Sequence, residues 1–190
     1  VARPRKFEET RAVEAAMRAF WDAGYEATST QDLCAATGLG RSSIYNAFAS
    51  KHDLFEKALR HYTGRRNAEF TELMAGEEPV KEKIKTLLWW SVDPDPDEPA
   101  GCLVINTLVE LAPHDQRIAE LLRRDTDTRV QAIRSALETA RLRGEIGADK
   151  DPLALAHFVT ATINGLGVAA RGGASRAALE SIASVALGAI

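Results

Sequence analysis

Apolar residues recur at three- and four-residue spacing along nearly the whole chain, and this spacing restricts the fold more than any other feature. Val13, Ala16, Met17 and Phe20 stand at i, i+3, i+4 and i+7, one face of a helix predicted from about Phe7 to Ala23. Gly24 follows where a helix C-terminal cap belongs. Phe55, Ala58, Leu59 and Tyr62 repeat the spacing on a second long helix that starts near Lys51, with Ser50 as its N-cap. Ile84, Leu87 and Leu88 mark a third, opening at Pro79 as a first-turn residue. Ile118, Leu121, Leu122, Val130, Ile133, Leu137 and Ala140 outline a long helix that ends at Gly144. Asp151-Pro152 reads as an N-cap followed by a first-turn proline. It opens a helix that Arg171-Gly172-Gly173 stops, and Leu179, Ile182, Ala183, Ala186 and Ile190 stripe a last one. No alternating, strand-length run stands between turn pairs, so the predicted fold class is all-α.

Composition narrows the function classes. A chain of 190 residues with 45% hydrophobic and 27% charged residues buries a core without metal or disulfide staples and is not a disordered tail. The 24 Lys and Arg against 27 Asp and Glu give a net charge of −3. That balance argues against a protein that coats nucleic acid or anionic membrane with its whole surface, but it leaves room for a local basic face. Cys34 and Cys102 lie far apart without CxxC spacing, which fits a reducing cytoplasm. Val1 to Lys6 has no apolar signal core. Pro152 to Ala170 carries no formal charge and is long enough to span a bilayer. Its His157, Thr160, Thr162, Asn164, Gly165 and Gly167 make it a buried or interface helix instead, with no membrane partner expected. His52, His61, His114 and His157 have no metal-ligand spacing, Gly38-x-Gly40 lacks a third glycine, and no nucleophile–base pair stands out. No enzyme activity, metal or cofactor is expected. The loop Asp93 to Pro99, with three prolines and four acids, is predicted to be exposed and mobile.

The segment Thr28 to Leu54 carries the chemistry. Ser29 and Asp32 form a capping-box pair at the start of a short helix, Thr30 to Thr37. Gly38-Leu39-Gly40 then makes a tight turn into a second short helix, Arg41 to Phe48. Two short helices, a Gly-containing three-residue turn and the apolar anchors Leu33, Leu39 and Ile44 spell a helix–turn–helix. The outward residues of the second helix are Arg41, Ser42, Ser43, Tyr45 and Asn46, all donors and none acidic. Arg reads guanine, Asn reads adenine, and Ser or Tyr reaches phosphate. Lys51, in the first turn of the next helix, opposes that helix's dipole, which suggests that its charge faces something anionic.

Trp21 to Ser29, Asp32-Leu33, Thr37-Gly38-Leu39, Ile44 to Phe48 and Ser50 to Phe55 resemble the N-terminal domain of the TetR/AcrR family of bacterial transcriptional regulators. Gly40 departs from the Ser or Thr cap common there, at a cost of only a few tenths of a kcal/mol. The resemblance implies about nine helices, with a DNA-binding domain at residues 1–50 and a ligand-binding and dimerisation domain at 51–190. It implies a repressor that binds palindromic double-stranded operator DNA as a homodimer, joined through its last two helices at about 152–171 and 175–189. A small-molecule effector in the second domain would separate or tilt the reading heads. Carried over by position, Thr28, Arg41, Ser42, Ser43, Tyr45, Asn46 and Lys51 are the DNA contacts, and Arg3, Arg5 and Lys6 resemble a flexible basic arm.

In the second domain the residues leave alternatives open. Cys102 is either buried packing or, as in family members that sense oxidants or electrophiles, a switch, and reactivity needs a lowered pKa and access. Trp89-Trp90 is either core or an aromatic pocket wall. Asn106 and Glu110 share a helix face, as do His157, Thr160 and Asn164, and such groups either orient a ligand or satisfy one another. Trp89, Cys102, Asn106, Glu110, Phe158 and Thr162 are the candidate pocket lining. An all-α enzyme or lipid-binding module with a vestigial DNA domain is the third reading. Charge sorts by domain: residues 1–66 hold 11 Lys and Arg against 8 Asp and Glu, and the remainder holds 13 against 19. The basic excess falls on the half that reads DNA.

Overall fold

The computed structural model describes the backbone of residues 3–190 and the side chains from residue 9 onward. In chain order the helices are α1 (Arg3–Ala23), α2 (Thr30–Thr37), α3 (Arg41–Ala47), α4 (Lys51–Ala75), α5 (Val80–Val92), α6 (Leu103–Glu110), α7 (Gln116–Leu142), α8 (Pro152–Arg171) and α9 (Arg176–Gly188). No strand occurs among the described residues.

Helix starts fall where the sequence supplies a cap. Ser29 and Asp32 complete the capping box, each accepting the other's backbone N–H. Ser50 accepts from Asp53 N, Asp115 from Arg117 N and Ile118 N, Asp151 from Leu153 N and Ala154 N, and Ser175 from Ala178 N. Three boundaries differ from expectation. The first helix begins at Arg3, because Pro4 in the first turn sacrifices no helical hydrogen bond. Pro79 is the residue before α5 rather than its first-turn residue. The long helix stops at Leu142, and Gly144 takes up the left-handed turn beyond it.

Two cores form, and they cut across the division at residue 50. The first joins α1, α2, α3 and the start of α4, with Phe20, Trp21, Leu33, Ile44, Phe48 and Phe55 at its centre. Leu103 of α6 and Ile118 and Leu122 of α7 reach into the same cluster. The second joins the end of α4 with α5, the remainder of α7, α8 and α9. α4 and α7 therefore run through both, and the helices that would hold an effector are part of the packing behind the helix–turn–helix. Ile182, expected in the buried stripe of α9, faces out instead. It stands about 100° from Ala183, and Leu179, Ala183 and Ala186 already fill the core face.

The acidic loop is exposed from Asp93 to Asp97, as expected, but Glu98 and Pro99 are partly buried and the loop is tethered rather than free. Asp93 pairs with Arg176 at 2.9 Å, the Asp97 carbonyl accepts from Arg18 at 2.9 Å, and the Glu98 carboxylate is held by Arg65 and Arg66. An arginine stands within reach of each end of a segment whose prolines forbid helix.

Candidate nucleic-acid interface

Gly38 closes α2 in the left-handed region at φ 69°, donating its N–H to Cys34 O, and only glycine adopts that turn without strain. Gly40 then caps α3 with no side-chain bond. Ile44 and Phe48, four residues apart, are buried in the first core and fix the rotation of α3. Arg41, Ser42, Ser43, Tyr45 and Asn46 are consequently all exposed. Among the described residues, the side chains of Ser42, Ser43 and Asn46 have no hydrogen-bond partner within the chain.

Tyr45, 42% exposed, places its hydroxyl 3.3 Å from the Thr30 hydroxyl and its ring 5.8 Å from the Arg41 guanidinium. A row of donors thus runs from Arg41 through Tyr45 to the first turn of α2. Thr30 and the exposed Gln31 belong to this surface, and sequence reasoning missed them. The available signal was the capping box itself: residues directly after an N-cap sit beside free backbone N–H groups.

Thr28 does not belong there, and this corrects the expectation. It is 1% exposed, and its hydroxyl donates to Gly24 O at 2.6 Å. Its hydroxyl ties down the α1–α2 link and is not presented on this surface. Lys51 is half-buried. Its ammonium lies 4.4 Å from the centre of the Tyr25 ring and 3.5 Å from Glu26 O, at the edge of the same face. The side chains of Arg3, Arg5 and Lys6 lie outside the described residues.

The link behind α3 is fastened from the second half of the chain. The Glu110 carboxylate accepts from Tyr25 N at 2.9 Å and Glu26 N at 2.8 Å. Asn106 donates to Trp21 O, and Arg171, the last residue of α8, donates to Trp21 O, Asp22 O and Ala100 O. The carbonyls that end α1 are thereby satisfied by side chains of α6 and α8. Gly24 sits at φ 90°, where a Cβ would stand 3.1 Å from the Glu110 carboxylate. A second clasp joins the starts of α4 and α7, where His52 Nε2 and Asp115 Oδ2 are 2.5 Å apart. The amide of Ile118, and then His52, hold the Asp115 carboxyl below its ordinary range.

The candidate pocket residues are dispersed. Asn106 and Glu110 line a groove of about 410 Å³ between the end of α1, α6 and the end of α8, with their polar groups already bonded to α1 and its link. Trp89 and Trp90 are both half-buried against the second core, so neither faces open solvent. Cys102 packs on the first core, and its sulfur accepts from the Tyr62 hydroxyl at 3.5 Å. Burial, and then this thiol, push the Tyr62 phenol upward. Phe158 is on the outer face of α8, and the Thr162 hydroxyl donates back to Phe158 O. No cluster of His, Cys, Asp and Glu fit to hold a metal occurs among the described residues.

Known proteins share this layout. Residues 12–58 match the model for bacterial regulatory proteins of the tetR family, and residues 78–185 match the model for a tetracyclin repressor-like C-terminal domain. The chain is 34% identical over 188 residues to the HTH-type transcriptional repressor ComR of Escherichia coli (strain K12), covering 97% of this chain and 90% of ComR. It is 32% identical over 162 residues to the HTH-type transcriptional regulator YezE of Bacillus subtilis (strain 168), covering 84% of each. Among solved structures, the TetR family regulator CifR, a cysteine mutant complexed with 26-bp double-strand operator DNA, aligns over 95% of both chains with a TM-score of 0.84 and 28% identity. A TetR regulator from Chloroflexus aurantiacus J-10-FL aligns over 98% of this chain and 95% of its own with a TM-score of 0.88 and 28% identity. On fold, helix–turn–helix and both domain matches, the chain belongs to the TetR family of bacterial transcriptional regulators.

Proposed function

We propose that this chain is a repressor that binds a palindromic operator as a homodimer and leaves it when a small-molecule effector binds. The observation that carries the reading is α3. Buried Ile44 and Phe48 leave Arg41, Ser42, Ser43, Tyr45 and Asn46 exposed together, and among the described residues the side chains of Ser42, Ser43 and Asn46 bond nothing inside the chain. On DNA, Arg41 and Asn46 read base edges, while Ser42, Ser43, Tyr45, Thr30 and Gln31 bond phosphates that set the register. Lys51 and the start of α4 hold a further phosphate, and Arg3, Arg5 and Lys6 follow the backbone as a basic arm. ComR is named a repressor, and CifR is a complex with operator DNA, which supports the same activity here.

Dimerisation uses the outward faces of α8 and α9, which expose Leu153, Phe158, Val168, Ile182 and Val185. α8 is long and apolar enough to cross a membrane, and only 28% of its apolar window is buried inside one subunit. The same face of a second subunit covers it in a two-fold contact. Residues 1–50 act as the DNA reader and 51–190 as the effector and dimerisation domain, working in the cytoplasm where the chromosome is. Two heads grip one duplex only when they are spaced about one helical turn apart, and the effector favours another spacing. Selection of bound duplexes from a random library tests this. The expected result is an enriched palindrome bound by two chains. Enrichment of no palindrome, or one chain per half-site without pairing, contradicts it.

A further inference from the structure

The loop between α5 and α6 ends on a carboxylate withdrawn from water. The Glu98 side chain is 10% exposed, whereas Asp93, Asp95 and Asp97 of the same loop are exposed. Arg65 Nη2 donates to one Glu98 oxygen, and Arg66 Nη2 donates to the other at 2.6 Å. Neighbouring residues on a helix point about 100° apart, so both reach one carboxylate only when it lies over α4 between them. Tyr62, one turn earlier and buried in the first core, sets its ring 5.7 Å from the Arg66 guanidinium and supports it from behind. Arg65 Nε is buried beside this pair with no acceptor. The site therefore holds two guanidinium groups and one spare donor, and its anion is delivered by a loop rather than by a helix.

Each guanidinium gives one charge-assisted hydrogen bond to a different oxygen, so the two arginines together hold both oxygens of one carboxylate. Removing it leaves Arg65 without a carboxylate and Arg66 with only Glu69, three residues on, at 3.2 Å, which favours an anion that replaces it. The loop also reports to the DNA-reading half: Asp97 O accepts from Arg18 Nη1 at 2.9 Å, and Arg18 is on α1, the helix that ends at the α1–α2 link.

We propose that Arg65 and Arg66 form a binding site for a carboxylate-bearing effector, with Glu98 as its built-in occupant, and that displacement of Glu98 frees the loop from α4 and, through Asp97 and Arg18, from α1. This rests on the effector-released reading above and names the chemical class of the effector. Glu98 is tethered, so it competes at an effective concentration in the millimolar range. A simple carboxylate does not displace it from the wild-type chain; an effector needs contacts beyond its carboxylate as well.

The test uses propionate, the glutamate side chain as a free carboxylate, against chloride at equal ionic strength. Thermal melting and affinity for a selected operator are read on wild type, Glu98→Ala, Glu98→Gln and Glu98→Ala/Arg66→Ala. We expect saturating propionate to raise the melting temperature of Glu98→Ala by about 3 °C and to leave wild type and the double variant unmoved. Both single variants bind operator about tenfold more weakly. Propionate does not restore that affinity, because a free anion fills the arginines without returning the loop. A Glu98→Ala chain that ignores propionate overturns the anion site. Wild-type operator affinity in both Glu98 variants, or affinity restored by propionate, overturns the loop as lever. If Glu98→Ala folds only in propionate, the site is supported; if it folds in neither salt, the operator affinity of Glu98→Gln decides. A wild-type chain that binds no duplex contradicts the proposed function instead, and the melting arm still decides the site.

Discussion

The surfaces of α3 and α7 make opposite use of polar groups. α7 is rich in arginine, and its mid-helix exposed charges are spent on one another. Arg123 pairs with Glu120 at 2.9 Å and Asp127 at 2.8 Å, Arg124 with Glu120 at 2.7 Å, and Arg134 with Glu138 at 2.8 Å. All are three or four residues apart, the spacing at which helix neighbours meet. α3 has one arginine and no acid, and among the described residues Ser42, Ser43 and Asn46 bond nothing in the chain. On the proposed function, then, charge density does not mark the nucleic-acid face of this molecule; unspent donors on a rotationally fixed helix do. The same contrast explains a net charge of −3 on a DNA-binding chain. The acidic excess lies in the half that carries α7, and the phosphate-facing groups lie in the half with the basic excess.

The contrast breaks most visibly at α3. Replacing Arg41 and Tyr45 together by Ala is expected to weaken operator binding by about a hundredfold, read by fluorescence anisotropy, with little change in melting because both side chains are exposed. Next comes the link behind α3. Gly24→Ala forces an L side chain to φ 90° with its Cβ 3.1 Å from the Glu110 carboxylate, and should cost about 1–2 kcal/mol in urea denaturation. A smaller effect is pH-dependent. The Asp115 pKa is depressed in the folded chain by the Ile118 amide first and then by His52. Its contribution is therefore present above the unfolded value of about 4 and lost as pH falls through the folded one. Asp115→Asn should flatten the acid limb of the stability curve below about pH 4 and leave its neutral shape alone. The smallest effect belongs to α7. Arg123→Ala/Arg124→Ala should leave both operator affinity and the urea midpoint where they are, because exposed ion pairs contribute little.

Much of this layout was legible in the sequence, for local reasons. Ser29, Ser50, Asp151 and the apolar stripes act through hydrogen bonds and burial within a turn or two, so the helices they delimit follow from spacing. What was not legible depends on where distant elements meet. Thr28 looks like a surface hydroxyl until the turn at Gly24 presents a carbonyl to it 2.6 Å away. Thr30 joins the row of donors on α3 only because Tyr45 comes to rest beside it. The loop of prolines and acids looks free until arginines of α1, α4 and α9 close on it. Glu110 and Asn106 share one helix face, as their spacing requires, but their partners are backbone atoms more than eighty residues away, which no local pattern encodes.

The central claim, that α3 and the start of α2 form the DNA face while α7 stays clear of it, is tested most directly by hydroxyl-radical footprinting of the protein with and without a selected operator. Tyr45 on α3 and Leu142 at the end of α7, 42% and 87% exposed, are the reporters. The account predicts that operator shields Tyr45 and leaves Leu142 as reactive as before. Unchanged Tyr45 reactivity, or shielding of Leu142 in its place, would contradict it.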